Sequence, residues 1–253
     1  MKDITTRIIK NDKVAEKTYL MTLEGDLTET KPGQFLMVQV QRSHEPFLRR
    51  PLAILSCRDR MIEIFFTVRG EGTALLAEKR TGELVSFIGP LGNGFSDPAP
   101  GEHLLYIAGG AGLPPVLSMA EHLGRGMFIF GAKTEAEIPL HNRLQNLEGI
   151  QTLFCTEDGS LGTKALATEI LSRVIKSLPT STRIYACGPR EMLRQTWNIA
   201  AHAEIPCEVS LEERMACGFG VCSGCVVETQ QGNLRVCREG PVFDAQDILW
   251  GSR

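Results

Sequence analysis

The sequence predicts a multi-domain protein with three parts: an antiparallel β-barrel, an α/β domain with a parallel sheet, and a small C-terminal module. Three observations predict this fold class. Short alternating strands broken by glycine and proline fill the first 99 residues, strands and helices then alternate to about residue 209, and four of the eight cysteines crowd into residues 217–237. A chain of 253 residues, 43% of them hydrophobic, is long enough to bury the cores of such domains.

The β-barrel is predicted for residues 1–99. One strand is expected at residues 35–40, directly after Lys31-Pro32-Gly33, and another at residues 61–68, where apolar residues alternate with residues expected to face outward. The inward-facing residues of this strand are Ile62, Ile64, Phe66 and Val68. The Pro-rich stretch at residues 97–101 indicates a domain boundary near residue 100.

The α/β domain is predicted for residues 100–209, where the pattern changes to strand, glycine-rich turn and helix. Strands are expected at residues 103–108, 127–130, 150–155 and 183–186, and helices at residues 116–123, 164–175 and 190–203. Alternating strands and helices predict a parallel sheet covered on both faces.

The C-terminal module, residues 210–253, is rich in cysteine and glycine and has little helical periodicity. Its cysteines are spaced Cys217-x4-Cys222-x2-Cys225-x11-Cys237. The first three positions match the C-x4-C-x2-C spacing by which plant-type ferredoxins hold a [2Fe-2S] cluster, so these four cysteines are the expected iron ligands. A structural zinc site is the alternative, although such sites usually have paired short spacings.

Composition and charge exclude several classes of partner. The net charge is -3 and the basic residues are scattered, so nucleic acid is not an expected partner. No stretch approaches the roughly 18 consecutive apolar residues of a membrane helix, and MKDITTRIIK lacks the apolar core of a signal peptide. We therefore expect a cytoplasmic protein without a membrane association, in a compartment that disfavours disulfide bonds.

A possible flavin signature lies in the barrel, where Arg49-Arg50-Pro51-Leu52-Ala53-Ile54 is followed by Gly72-Thr73. An arginine and a Gly-Thr turn can both bind a pyrophosphate, although Arg50 alone could equally be a surface cation. The two motifs resemble the FAD signature of the ferredoxin reductase superfamily, whose usual Arg-x-Tyr-Ser/Thr is here Arg50, Pro51, Leu52 and Ala53. The resemblance implies that FAD is held by backbone contacts and packing at Leu52 and Ala53, and that Thr67, Val68 and Arg69 line its adenine side or phosphates.

A possible nucleotide signature lies in the α/β domain. Gly109-Gly110-Ala111-Gly112 opens a helix directly after an apolar strand, where a helix N-terminus can bind phosphate, although a purely structural turn is the alternative. Cys187-Gly188-Pro189 also joins a strand to a helix, and its resemblance to the same superfamily places it by the nicotinamide. Cys187 could equally be a small buried residue. Asp158, after a third strand, could bind a ribose hydroxyl or merely cap a turn.

With these signatures in this order, the chain resembles the iron-sulfur flavoprotein electron-transfer subunits of class 1B dihydroorotate dehydrogenases, most specifically at residues 210–218 and 237–243. The resemblance implies FAD, a [2Fe-2S] cluster and NAD as electron acceptor. It also implies an FMN-containing catalytic partner subunit, in a heterotetramer with two copies of each chain, acting in pyrimidine biosynthesis. Electrons would pass from FMN through the cluster and FAD to NAD+, and no catalytic acid or base is assigned.

Two alternatives remain open from the sequence. The chain could be a ferredoxin:NADP reductase-like or hydrogenase-associated reductase subunit with a different partner, or a non-catalytic cluster-bearing protein that has lost its cofactor, as Leu52 and Ala53 would allow. The choice between NAD and NADP is also open. No acidic residue occupies the usual fingerprint place after the second strand of the α/β domain, and Lys133 fits either nucleotide.

Overall fold

A computed structural model describes residues 2–27, 30–41 and 45–251 of the chain. The N-terminal part is a closed antiparallel barrel with strand order β1-β2-β5-β4-β3-β6. Its strands are β1 (Lys2–Ala15), β2 (Thr18–Glu24), β3 (Phe35–Gln39), β4 (Arg50–Arg58), β5 (Met61–Thr67) and β6 (Leu84–Leu91), and helix α1 (Glu71–Glu78) connects β5 to β6. The predicted antiparallel barrel is confirmed.

Alternation along β5 explains how the barrel packs. Ile62, Ile64 and Phe66 point into the barrel core, as the sequence predicts. Val68, which was also predicted to point inward, lies beyond the end of the strand and is only half-buried. Phe65, which alternates with the inward-facing residues, is also buried, and it belongs to a hydrophobic cluster made mostly of residues from the α/β part, such as Leu104 and Val116. One outer face of the barrel therefore forms part of the buried interface with the α/β part.

The second part contains six parallel strands in the order β10-β9-β8-β7-β11-β12. These strands are β7 (His103–Gly109), β8 (Gly126–Ala132), β9 (Ile150–Thr156), β10 (Thr163–Lys164), β11 (Thr182–Cys187) and β12 (Cys207–Ser210). The accompanying helices are α2 (Leu113–Leu123), α3 (His141–Gln145), α4 (Ala167–Val174) and α5 (Arg190–His202). Every residue of 104–108 is buried, as expected for a central parallel strand covered on both faces.

The C-terminal part adds a hairpin, β13 (Val226–Thr229) and β14 (Gly232–Arg235), and a last short strand, β15 (Val242–Asp244). Strand β15 pairs with β12 in the antiparallel direction, and so extends the parallel sheet to seven strands. The sequence did not predict this strand, because three residues are too few to show a period. Residues 211–241, which we call the cysteine segment, thus begin and end at the edge of the sheet.

No helix within residues 2–27, 30–41 and 45–251 is long and apolar enough to cross a membrane.

An ion-pair network ties the barrel to the α/β part. The Arg143 guanidinium, on α3, donates to Glu63 of β5 at 2.9 Å and to both carboxylate oxygens of Glu121 of α2 at 2.6 and 2.9 Å. Burial alone would lower the pKa of Arg143, but the two carboxylates outweigh it and raise the pKa above its ordinary value. Arg143 therefore stays charged and holds the two parts together.

We expect Arg143→Ala to lower the free energy of unfolding by about 2–3 kcal/mol, because two partly buried carboxylates lose their partner. Chemical denaturation measures the change. Arg194→Ala is the matched control, since Arg194 makes only an exposed ion pair with Glu191. An equal effect of the two substitutions would contradict the structural role of Arg143.

Candidate functional site

A central cleft of about 240 Å³ opens where the barrel, the parallel sheet and the cysteine-rich segment meet. Strand β4 contributes Leu52 and Ala53 to it, the end of β11 contributes Cys187, and the C-terminal part contributes Met215 and Pro241. Of the predicted flavin contacts, those that line the central cleft are Pro51, Leu52, Ala53, Thr67, Arg69 and Thr73. Val68 and Gly72 do not line it.

The barrel wall of the central cleft includes two apolar residues of β4 that pair with apolar residues of β3. Leu52 lies opposite Leu36, and Ala53 lies opposite Phe35, on neighbouring strands β4 and β3. Leu52 is buried and Ala53 half-buried. Neither side chain carries a hydrogen-bonding group, so this wall can bind a flat apolar ring only by packing and by backbone contacts.

A second cleft, the arginine cleft, adjoins the central cleft and is lined by Arg49, Arg50, Arg69 and Arg214. The Arg50 guanidinium lies over the first turn of α1, since a Cβ atom built on Gly72 would lie 2.5 Å from its Nε atom. The arrangement brings a cation and the N-terminus of an eight-residue helix to one place, which suits a bound phosphate.

The sequence predicted Gly72-Thr73 as a turn, but these residues form the first turn of α1. Thr73 Oγ1 accepts hydrogen bonds from the backbone N–H groups of Arg69, at 2.9 Å, and Gly70, at 3.3 Å. The Thr73 side chain therefore fixes the start of the helix. Glycine pairs such as Gly70 and Gly72 usually indicate a turn, so the sequence pattern does not reveal that a helix starts here.

Two further clefts open at the carboxyl edge of the parallel sheet. The switch cleft is lined by the glycine-rich loop after β7, including Gly109, Gly110 and Gly112, and by Gly188 and Pro189 after β11. Since β7 and β11 are neighbours whose onward connections run to opposite sides of the sheet, this is the place where open parallel sheets bind ligands. The structure thus brings together the two nucleotide motifs that the sequence predicted.

The outer cleft is continuous with the switch cleft, because both are lined by Gly109, Gly110 and Pro189. It extends along the carboxyl ends of β8 and β9 and has a volume of about 300 Å³. Glu157, directly after β9, lines this cleft.

Asp158 lines none of the four clefts. Its carboxylate accepts hydrogen bonds from the Ser160 backbone N–H at 2.9 Å and from Ser160 Oγ at 2.6 Å, and these bonds lower its pKa below the ordinary value. Of the two roles that the sequence left open for Asp158, its geometry is that of a turn cap.

Cys187 ends β11 and is 2% exposed. Burial raises the pKa of its thiol well above the ordinary value, so the group stays neutral where it lines the central cleft. The two alternatives from the sequence are therefore compatible, because Cys187 is both a buried residue and a wall of the site.

Glu212 is a site residue that the sequence analysis missed. It follows β12 by two residues and lines the central, arginine and switch clefts together with Arg69. Desolvation by the cleft walls raises the pKa of its carboxyl group, while Arg69 acts in the opposite direction. Its place after a strand of the sheet was the available signal, but β12 was not predicted.

The four cysteines form two pairs, Cys217 with Cys222 and Cys225 with Cys237. Cys237 donates its backbone N–H to Cys225 Sγ at 3.4 Å, and both side chains are buried. Burial would raise the pKa of Cys217, but N–H groups of its loop, Cys222 among them, outweigh it and lower the pKa. In the described parts of the chain, no three His, Cys, Asp or Glu side chains are arranged so that they could hold a single metal ion. Two pairs of thiols fit a cluster with two irons and four cysteine ligands.

The cysteine segment is fixed to the barrel. Gly218 has φ of +80°, and a Cβ atom there would lie 2.3 Å from Met37 Cγ, so only glycine allows this approach to β3. The Asn93 side chain, after β6, donates to the Glu239 carbonyl at 2.8 Å. Met215 and Pro241, which flank the cysteines in the sequence, line the central cleft, so the cysteine segment borders that cleft.

Comparison with known proteins gives consistent results. Residues 212–249 match the family model of the iron-sulfur cluster binding domain of dihydroorotate dehydrogenase B. Two similar relatives each carry the name "Dihydroorotate dehydrogenase B (NAD(+)), electron transfer subunit". That of Caldanaerobacter subterraneus subsp. tengcongensis is 35% identical, covering 96% of this chain and 97% of the relative. That of Bacillus caldolyticus is 37% identical, covering 93% and 94%.

Solved structures share the fold. The NADH-dependent reduced ferredoxin-NADP oxidoreductase has a TM-score of 0.87 at 24% identity, covering 97% of this chain and 90% of that chain. A ferredoxin NADP+ reductase from Neisseria gonorrhoeae, solved with bound FAD and NADP, has a TM-score of 0.66 at 20% identity, covering 80% and 92%. The ferredoxin reductase-like architecture predicted from the sequence is confirmed.

The close approach of the two nucleotide loops can be tested at Gly112. A Cβ atom there would lie 2.4 Å from the Cys187 backbone, so we expect Gly112→Ala to lower the free energy of unfolding by about 1–3 kcal/mol. Gly70→Ala is the control, since a Cβ atom at Gly70 meets nothing within 4 Å. Thermal and chemical unfolding compare the two. Equal stability of both variants would show that the loops are not in contact.

Proposed function

This chain belongs to the family of electron transfer subunits of dihydroorotate dehydrogenase B (NAD(+)), and we propose that it carries electrons from a catalytic partner subunit through a [2Fe-2S] cluster and FAD to NAD+. One observation carries the proposal: the cysteine segment and both nucleotide motifs meet at the central cleft. The partner oxidises dihydroorotate to orotate on FMN, for pyrimidine biosynthesis. Two copies of each subunit form the complex, which works in the reducing cytoplasm.

The FAD site combines the central cleft and the arginine cleft. Arg50, Arg69 and the first turn of α1 bind the pyrophosphate, with Gly72 leaving room for the Arg50 guanidinium. Leu52 and Ala53 pack against the ring. The other residues proposed to contact FAD are Pro51, Thr67 and Thr73. Bound there, FAD supplies a centre that can accept single electrons and release a pair as hydride.

The cluster site consists of Cys217, Cys222, Cys225 and Cys237. A [2Fe-2S] cluster supplies one-electron transfer. The contacts of Gly218 with Met37 and of Asn93 with Glu239 hold this segment beside the central cleft, so the protein sets the spacing between cluster and flavin. Fixed orientation is the main contribution that a protein can make to such a transfer.

The nicotinamide nucleotide binds across the switch cleft, in contact with Gly109, Gly110, Gly112, Gly188 and Pro189. Its nicotinamide end reaches the central cleft beside Cys187, whose neutral thiol adds no charge to the hydride path. Hydride transfer between two cofactors needs positioning and exclusion of water rather than a general acid or base.

The reaction itself tests the proposal. The chain, loaded with FAD and cluster, is mixed anaerobically with the FMN-containing subunit of the same host, dihydroorotate and NAD+, and NADH is followed by its absorbance. We expect NADH formation that requires both proteins. If NADH reduces the flavin of this chain but dihydroorotate yields no NADH, the chain is a reductase with a different partner.

The pyrophosphate site can be tested at Gly72. In Gly72→Ala the new methyl group displaces the Arg50 guanidinium, so we expect the Kd for FAD to rise about tenfold or more, which corresponds to about 1.4 kcal/mol. Stability should be unchanged or slightly higher, because alanine favours the helix. Flavin fluorescence titration measures the Kd, with Gly70→Ala as the control. Unchanged FAD affinity in Gly72→Ala would place the pyrophosphate elsewhere.

The cluster ligands can be tested by serine substitution. We expect Cys225→Ser to lose the bound iron and the electron paramagnetic resonance (EPR) signal of the reduced cluster, since a buried thiolate ligand is removed. Cys57→Ser should retain both, because Cys57 is on barrel strand β4 and contacts Leu27 rather than the other thiols. Iron and sulfide analysis with EPR spectroscopy makes the comparison. Full iron content in Cys225→Ser would exclude Cys225 as a ligand.

A further inference from the structure

The outer cleft carries an excess of negative charge. Three carboxylate side chains line it, those of Glu137, Glu157 and Glu191, against one ammonium group, that of Lys133. Glu191 is already paired with Arg194, at 2.6 Å. The remaining charges on the walls are two carboxylates and one ammonium.

Glu157 is the carboxylate with the greatest freedom to bind a ligand. It is exposed, and its backbone N–H donates to the Ala132 carbonyl at 3.1 Å, which holds the residue at the carboxyl ends of β8 and β9. Within the parts of the chain that the structure describes, no hydrogen bond or ion pair engages its carboxylate. The Glu137 carboxylate, in contrast, already accepts from the Lys133 backbone N–H at 3.4 Å.

The position of the outer cleft identifies which part of a dinucleotide it can hold. It shares Gly109, Gly110 and Pro189 with the switch cleft, so one extended ligand can occupy both. The nicotinamide half is directed to the central cleft, which leaves the adenosine half for the outer cleft. Met192 and Ala167 give that cleft an apolar wall suited to a base, and the carboxylates lie at its polar side.

We propose that Glu157 selects NAD over NADP: its carboxylate accepts hydrogen bonds from the adenosine ribose hydroxyls and repels a 2′-phosphate. This inference rests on the proposed function, since it assigns a role within the same nucleotide site. A carboxylate at the end of a strand of a nucleotide-binding sheet is suited to this discrimination, because a ribose hydroxyl donates to it whereas a phosphate meets a like charge. The carboxylate follows the third strand of the α/β part, β9, rather than the second, after which the acidic fingerprint residue usually lies.

The test replaces Glu157 by glutamine, which keeps the shape and removes the charge. The complex with the catalytic subunit, loaded with its cofactors, is assayed for reduction of ferricyanide by NADH and by NADPH. We expect the ratio of kcat/KM for NADH to that for NADPH to fall at least about tenfold in Glu157→Gln. Glu148→Gln is the matched control, because Glu148 is also exposed but lies just before β9, at the opposite edge of the sheet.

A binding measurement gives a second readout that does not depend on turnover. Calorimetric titration with ADP and with 2′,5′-ADP measures the affinity of the adenosine site for each. We expect Glu157→Gln to bind 2′,5′-ADP about tenfold more tightly than the unsubstituted chain and ADP more weakly, and Glu148→Gln to match the unsubstituted chain. Glu157 is exposed in a turn, so its substitution should leave the fold intact, which circular dichroism verifies.

The outcomes separate the inference from the proposed function. If NADH reacts but the NADH to NADPH ratio is the same in Glu157→Gln, the inference is wrong and the function stands. If the unsubstituted chain prefers NADPH, Lys133 dominates the cleft and the inference is wrong as well. If neither nucleotide donates electrons, the proposed function fails and the inference fails with it.

Discussion

The structure depends on the antiparallel pairing of β15 with β12 at the edge of the parallel sheet. Ser210 pairs with Val242, and the Leu211 backbone N–H donates to the Pro241 carbonyl at 2.9 Å. These contacts join the two ends of the cysteine segment, so the chain between residues 211 and 241, including the β13–β14 hairpin, is closed at its base. The base stands at the carboxyl edge of the sheet, beside the clefts.

The central cleft exists only because three parts of the chain are held against each other. The barrel provides an apolar wall at Leu52 and Ala53, the sheet provides Cys187, and the cysteine segment provides Met215 and Pro241. None of these surfaces encloses a ring alone. The Arg143 ion pairs and the burial of Phe65 fix the barrel against the sheet, and the Asn93 hydrogen bonds fix the cysteine segment against the barrel. Interdomain packing therefore has a direct functional consequence, which is the relative position of the electron carriers.

Much of this arrangement could be predicted from local sequence pattern. Alternation identified the inward residues of β5, and the glycine-rich loop identified the start of α2. The cysteine spacing singled out the four cysteines that we propose as cluster ligands. Features that depend on contacts between distant segments could not be predicted. The burial of the outer face at Phe65 and the presence of Glu212 in three clefts are of this kind.

The sequence also does not show which of two neighbouring polar residues faces a cleft. Asp158 and Glu157 both follow β9, and composition alone does not distinguish them. The turn decides between them, because Ser160 engages the Asp158 carboxylate while Glu157 lines the outer cleft. Short strands pose the same difficulty, since β15 has three residues and is stabilised by its partner strand rather than by its own sequence.

Anaerobic titration with NADH, followed by EPR spectroscopy of the cluster, tests most directly whether the central cleft connects the nucleotide to the cysteines. In the chain loaded with both FAD and cluster, we expect NADH to produce the signal of the reduced [2Fe-2S] centre. The chain loaded with cluster alone should give none, because no other group in the cleft can turn a hydride into single electrons. Equal reduction of the cluster with and without FAD would contradict the account, as would a cluster that NADH leaves oxidised when both groups are bound.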